Sequence, residues 1–384
     1  MGMSKIVTNY IKKNNPKGSI FGFIILSFIL SRFIMMIIYA SLNGDWNICN
    51  AVDKYNTWDA GWYKNYSMDL LDVGLDHPEI FAFFPLYPLV CAIGIKIFPF
   101  ASPILIGSII SSILFMAGEY IVCNYISLTR GGYGRKQFIY IALMSFGPFS
   151  FYFSIMYTES LFVFLLALSF LYMYKGEYIK MGFSAAFLSA TRNTGVLFVF
   201  VLLVFWIRKY RAEINHGIRD FFKTTFLNGR LVLGATMIPL GLFSYILFLK
   251  IYLGDGLAFI HVQKNWDKSF VGLFQMIKRL VVDEFPPNYL GLIIIGSLIV
   301  LTIIVFEYKR YEEAAIPLTT LVISASTSPF SIARYMLGSF GIMLGITDII
   351  DSMSKVKRIV FMTVLFGLEL ILIKAWLGHN NLLT

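Results

Sequence analysis

The chain has 384 residues, 58% hydrophobic and 14% charged, with 32 Lys and Arg against 22 Asp and Glu for a net charge of +10. Soluble domains carry about 25% charged residues, so a chain this apolar (mean hydropathy +0.72) cannot cover its own surface in water. A polytopic membrane protein is predicted, which excludes a cytosolic enzyme, a secreted disulfide scaffold and a disordered chain; the basic excess belongs to a membrane face and needs no nucleic acid.

Residues 1–18 read as a cytoplasmic tail carrying Lys5, Lys12, Lys13 and Lys17. The apolar run 19–42 is long for a signal peptide and no small-x-small cleavage site follows, so it reads as a retained first helix. Further spans are predicted near 103–128, 137–156, 159–174, 180–193, 195–207, 231–253, 288–306, 314–330, 333–350 and 359–376, eleven in all. The stretch 80–100 is also apolar, but Pro78, Pro85, Pro88 and Pro99 interrupt or bound it, and it is read as a helix lying on the outer surface. With that choice the cytoplasmic segments hold 20 of the 32 Lys and Arg, as the positive-inside rule requires. A spanning 80–100 would instead turn Arg130, Arg135, Lys136, Arg208, Lys209 and Arg211 outward. No repeat or linker divides the chain, so 1–384 is one membrane domain, with outer loops at 43–102 and 254–287. Cys49, Cys91 and Cys123 form no CxxC pair and leave the redox compartment open.

The first outer loop carries Trp58-Asp59-Ala60-Gly61-Trp62-Tyr63. On a helix Trp58 and Trp62 would stack at i, i+4, with indoles at headgroup depth. The set reads either as an aromatic anchor with a solvated Asp or as a carboxylate held where it can deprotonate a hydroxyl at the membrane face. Phe83-Phe84-Pro85-Leu86-Tyr87-Pro88 is either a turn into the surface helix or a wall of a lipid-accessible cavity. Glu159, Arg192 and Arg334 emerge on the same outer side, and intramembrane charge is costly enough to imply a role. That role is an ion pair at Glu159 or a guanidinium grip on phosphate. Arg32 and Glu119 lie within spans and suggest only snorkelling or pairing. The loop from Gly254 to Trp266 offers His261, Gln263, Lys264 and Trp266, as a phosphate or sugar contact or as an ordinary amphipathic helix. The four histidines lack zinc spacing, and no Walker or dinucleotide glycine motif is present.

In order and spacing, these segments, together with Tyr157-Thr158-Glu159-Ser160-Leu161-Phe162, Thr191-Arg192-Asn193-Thr194-Gly195 and Arg334-Tyr335, resemble the family of the second mannosyltransferase of GPI-anchor synthesis and its prokaryotic relatives, within the GT-C glycosyltransferase superfamily. Gly256 departs from the proline of relatives. The resemblance implies an all-α GT-C-like bundle whose first outer loop contains juxtamembrane helices. It implies an inverting transfer of a hexose, typically mannose, from a polyprenyl-phosphate donor to a glycan or glycolipid acceptor on the non-cytoplasmic face. Asp59 would be the base. Arg192, Arg334, Tyr335, His261 and Lys264 would hold the donor phosphate, and Trp58, Trp62, Tyr63, Tyr87, Tyr157, Glu159, Gln263 and Trp266 would line the pocket. No cofactor is implied; a divalent metal is compatible with the acidic loop but not required. The compact chain favours a prokaryotic relative in the cell membrane over a eukaryotic one in the endoplasmic reticulum. The rival class is a transporter or lipid-sugar flippase without transferase activity, for which paired repeats and midplane charges are expected.

Overall fold

In hydrocarbon every backbone N–H and C=O needs an internal partner, and a helix supplies all of them within one segment. The computed structural model describes residues 16–69, 77–211, 217, 219, 228–266, 271–283, 288–327 and 331–378, and these form helices and turns without a strand among them. In chain order the main helices are α1 (Pro16–Asn43), α2 (Ile48–Tyr55), α3 (Asp59–Met68), α4 (Leu86–Ile97), α5 (Pro103–Thr129), α6 (Arg135–Phe146), α7 (Glu159–Lys175) and α8 (Tyr178–Thr191). They continue as α9 (Phe198–Lys209), α10 (Gly229–Leu253), α11 (Tyr289–Phe306), α12 (Tyr311–Thr327), α13 (Ile332–Gly338), α14 (Gly341–Ser352) and α15 (Lys355–Leu377).

Helices α1, α5, α10, α11 and α15 are long and apolar enough to cross a membrane; α13 and α14 pass the same test together, as a pair bent by 72°. The chain is therefore a multi-pass helical membrane protein. The remaining expected spans are helices too short to pass that test alone: α6 and α9 have 12 residues each, α8 has 14, and α7 and α12 have 17 each. The window 137–156 contains only α6, which stops at Phe146 because Pro148 follows Gly147 and drives it into extended backbone. The windows counted Ser150–Ser154 and all of Asn193–Leu197 except Thr194 as helix, but each stretch forms a tight turn of the 3-10 type. Within 80–100 only the 12 residues of α4 are α-helical, with a rise of about 18 Å against a hydrocarbon core of about 30 Å.

Two polar layers lie at opposite ends of α5. Just beyond its carboxyl end, Arg130 Nη2 pairs with Glu313 at 2.7 Å and Asp348 at 2.9 Å. Lys136 Nζ reaches Asp348 at 2.5 Å, and the Tyr125 hydroxyl donates to Glu313 at 2.7 Å. Lys209 Nζ donates to the Tyr178 hydroxyl, so the end of α9 lies near the start of α8. Near the amino end of α5, Asn56 Nδ2 donates to Ser108 Oγ at 2.9 Å, and Trp376 Nε1 donates to the Tyr55 carbonyl at 2.8 Å. Between the layers the core is aromatic, as in the stack of Phe115 on Phe153 at 4.4 Å. Close approach is built in at Gly341, where a Cβ would collide with the Glu313 carbonyl.

Arg130 and Arg135 separate a buried from an exposed ion pair, with side-chain exposures of 2% and 51%. Arg130→Ala leaves buried Glu313 without its counter-ion and Asp348 with Lys136 alone and should cost about 3–5 kcal/mol, whereas Arg135→Ala should cost about 0–1 kcal/mol. Thermal unfolding of the purified variants checks this; equal shifts would contradict it.

Candidate functional site

The site is assembled from four separate stretches of chain. After α2 the chain turns through Asn56, Thr57 and Trp58, and α3 begins at Asp59. Trp58 takes a left-handed φ of 58°, which costs a non-glycine residue about 1–3 kcal/mol and persists only when neighbours hold it. The Tyr157 hydroxyl supplies that hold by donating to the Thr57 carbonyl at 3.0 Å and accepting from the Asp59 amide at 3.2 Å. Asn56 adds a second tie: its side-chain oxygen accepts from the Met156 amide at 2.5 Å. Glu159 opens α7, Arg192 follows α8 in extended backbone, and Arg334 sits in the short α13.

These residues meet in one cluster. Arg334 Nη1 pairs with Asp59 Oδ2 at 2.7 Å and its Nε with Glu159 Oε1 at 2.8 Å. Arg192 Nη2 pairs with the same Oε1 at 2.5 Å, and its Nε donates to Thr158 Oγ1 at 2.6 Å. The Arg334 guanidinium lies over the Tyr157 ring at 4.3 Å, and that of Arg192 over Tyr335 at 5.2 Å and Phe162 at 5.5 Å. Side-chain exposure is 0% for Glu159, 5% for Arg334, 10% for Arg192 and 33% for Asp59, so the cluster opens at Asp59. Two cations balance two carboxylates. Among the described residues Asp59 Oδ1, Arg334 Nη2 and Arg192 Nη1 make no hydrogen bond. A carboxylate oxygen and two guanidinium N–H groups are thus left for a ligand.

The other expected residues divide. Tyr63 packs against Tyr157 and Tyr87, and its hydroxyl lies 3.5 Å from Thr158 Oγ1; burial pushes that hydroxyl well above its ordinary range, so it stays protonated. Tyr87 is fully buried and bonded to Ser111 Oγ at 2.7 Å and the Gly107 carbonyl, which makes it a strut between α4 and α5 and not a pocket wall. Trp58 lies outside α3, so the expected Trp58–Trp62 pairing on one helix does not form; Trp62 stacks on Phe83 at 6.1 Å instead. In the segment after α10 His261 Nδ1 pairs with Asp255 at 2.7 Å, and the His261 and Leu257 N–H groups hold the Asp255 carboxyl below its usual range. Lys264 is exposed and Gln263 donates to the Phe259 carbonyl. No hydrogen bond or ion pair joins His261, Gln263 or Lys264 to the Asp59 cluster, although Asn265 ties their loop to Glu79 at 2.6 Å. The Trp266 side chain lies outside the described residues, as do Asp72 and Asp76 of the acidic loop. Among the described residues no three His, Cys, Asp or Glu side chains converge as metal ligands.

Sequence reasoning passed over Thr158 and Asn56. Thr158 lies inside a motif already singled out, and its place between Tyr157 and Glu159 was the available signal. Asn56 had none, because its partners Ser108 and Met156 are distant in sequence. Tyr157→Phe should strand the Asp59 amide and Thr57 carbonyl and cost about 1–3 kcal/mol. Thermal unfolding tests this, and unchanged stability would show that the hydroxyl does not hold the turn. Compared with protein-family models, curated proteins and solved structures, the chain finds no match.

Proposed function

We propose that the chain is an integral membrane glycosyltransferase that moves a hexose, with mannose the first candidate, from a polyprenyl-phosphate donor to a glycan or glycolipid hydroxyl at the non-cytoplasmic face. The observation that carries this reading is the joining of Asp59, Glu159, Arg334 and Arg192 through 2.5–2.8 Å ion pairs, with Asp59 the most exposed member. In the reaction the acceptor oxygen attacks the anomeric carbon, and its proton passes to Asp59 Oδ1. The bond from that carbon to the phosphate oxygen breaks on the opposite face and the configuration inverts. Charge gathers on the departing lipid phosphate, where the spare N–H groups of Arg334 and Arg192 stabilise it. Glu159 aligns both guanidinium groups. The proposed topology is of eleven passes between the Arg130 layer and the Asp59 layer, short helices included, with the basic layer in the cytoplasm.

The rival, a lipid-sugar flippase, draws on the buried Glu119 and Glu369 and the half-buried Arg32 inside the bundle. A flippase moves its cargo without forming a glycosidic bond, so product analysis separates the two. With polyprenyl-phosphate mannose and a panel of lipid and glycan acceptors, Asp59→Asn should slow glycoside formation by about 10²–10⁴-fold. Turnover equal to wild type would remove Asp59 as base. Arg334→Lys keeps the charge but loses the fork and should weaken donor binding about tenfold; unchanged binding would take Arg334 out of the phosphate site. For the topology, a cysteine placed at Arg135 should resist membrane-impermeant labelling of intact cells while Cys49 reacts. Labelling at position 135 would invert the orientation.

A further inference from the structure

Arg32 is an intramembrane charge for which the proposed transfer has no use. It lies on α1 about one turn from Met35, whose carbonyl accepts from the Tyr55 hydroxyl at 2.9 Å, so its guanidinium is within a turn of the outer loop. Nη2 donates to the Ser150 carbonyl at 3.0 Å, but Nη1 meets only the Met35 thioether at 3.5 Å and the buried Nε has no partner. No carboxylate among the described residues comes within 4.0 Å of it. Glu369 and Glu119 act on it only at longer range. Glu369 Oε1 is taken by Ser150 Oγ at 2.7 Å and the Phe151 amide at 3.2 Å, and its buried Oε2 has no hydrogen-bond partner and does not reach Arg32. A guanidinium within a membrane-crossing helix, resting on the Phe28 ring at 4.8 Å with most of its donors unused, is an expensive arrangement unless a further acceptor arrives.

Arg32 also lines a cavity of about 370 Å³ between α1, α2 and α5. Its walls include Phe28, Phe33 and Met36 of α1 and Leu105 and Ile109 of α5, with Ser154, whose hydroxyl is likewise unpartnered, at the inner side. Phe33 is 57% and Ile109 48% exposed, and on membrane-crossing helices that exposure faces lipid. The volume is that of a small-ligand site, apolar with a few polar groups. The charge at its wall selects among the lipids that surround it.

We propose that this cavity is a site for one anionic phospholipid of the surrounding bilayer, an acyl chain lying between α1 and α5 and a phosphate oxygen accepting from the Arg32 guanidinium. The cavity adjoins the Asn56 turn behind the Asp59 cluster but contains none of its charged members, and the proposal does not rest on the transferase reading. A charge-assisted bond to phosphate gives preference over a zwitterionic lipid of the same chain length, whose ammonium group cancels the attraction.

Native mass spectrometry of the full chain, released from nanodiscs of phosphatidylcholine containing equal small fractions of phosphatidylglycerol and oleate, reads the occupant directly. Wild type should retain one phosphatidylglycerol with about tenfold preference over phosphatidylcholine, after correction for abundance. Arg32→Gln should abolish the preference. Ile109→Trp, at the exposed rim where folding is not at stake, should lower retention by filling the mouth. Equal retention of the two phospholipids by wild type, an undiminished preference in Arg32→Gln, or full retention in Ile109→Trp would each overturn the site. Retention of oleate in place of phosphatidylglycerol would overturn the phospholipid assignment.

Discussion

One carboxylate oxygen, Glu159 Oε1, receives N–H groups from two arginines that are 142 residues apart in the chain, at 2.5 and 2.8 Å. All three side chains are withdrawn from solvent. Removing any one leaves uncompensated buried charge, which costs more than the intact arrangement gains. The constraint therefore acts on the fold as much as on the site. The start of α7, the connection between α8 and α9 and the short α13 must meet at one end of the bundle. Arg334 then extends the network to Asp59 and fixes the outer-loop helix α3 against the spanning helices.

The second polar layer closes the bundle at the far end by the same physics. Arg130 takes Glu313 from α12 and Asp348 from α14, as Arg334 takes Glu159 and Asp59. Helices α13 and α14 run between the two layers with a bend of 72°. They are clamped by Arg334 at one end and Asp348 at the other. Apolar packing alone gives little direction in a lipid environment, where hydrocarbon outside is as apolar as the core. The two ionic layers set which helix ends coincide, and aromatic contacts such as Phe115 on Phe153 fill the space between.

Much of this was readable from the residues. Membrane character followed from composition, and the five long helices lie within a few residues of their hydropathy windows. The convergence of Asp59, Glu159, Arg192 and Arg334 was anticipated because charge in a hydrophobic segment has few affordable explanations. Helix ends were less legible. Hydropathy does not distinguish a tight turn such as Ser150–Ser154 from a helix, and Gly147-Pro148 marks the break only when the proline is weighed above the surrounding apolar run. The His261 loop was grouped with the arginines on the strength of residue types. His261 itself pairs with Asp255 within the same loop, a local pair that sequence proximity made equally available. Glu313 and Asp348 gave no signal because their partner Arg130 was assigned to a loop by the charge rule, and loop residues are presumed solvated.

Charge balance limits how the proposed transfer can work. Two arginines and two carboxylates leave no net positive charge to attract a phosphate, so attraction must come from exchange of partners within the cluster. Glu159 is buried and doubly paired, and it stays in place. Asp59 holds Arg334 through a single 2.7 Å contact and is one-third exposed, which makes it the partner that an arriving phosphate can displace. An anion taking the Arg334 N–H groups would leave the Asp59 carboxylate without its counter-ion beside the acceptor. The Tyr157 hydroxyl, bonded to both sides of the Trp58 turn, keeps the Asp59 backbone fixed while its side chain changes partner. Donor binding and release of the base would then be one event, and a phosphate-free sugar would leave Asp59 engaged by Arg334.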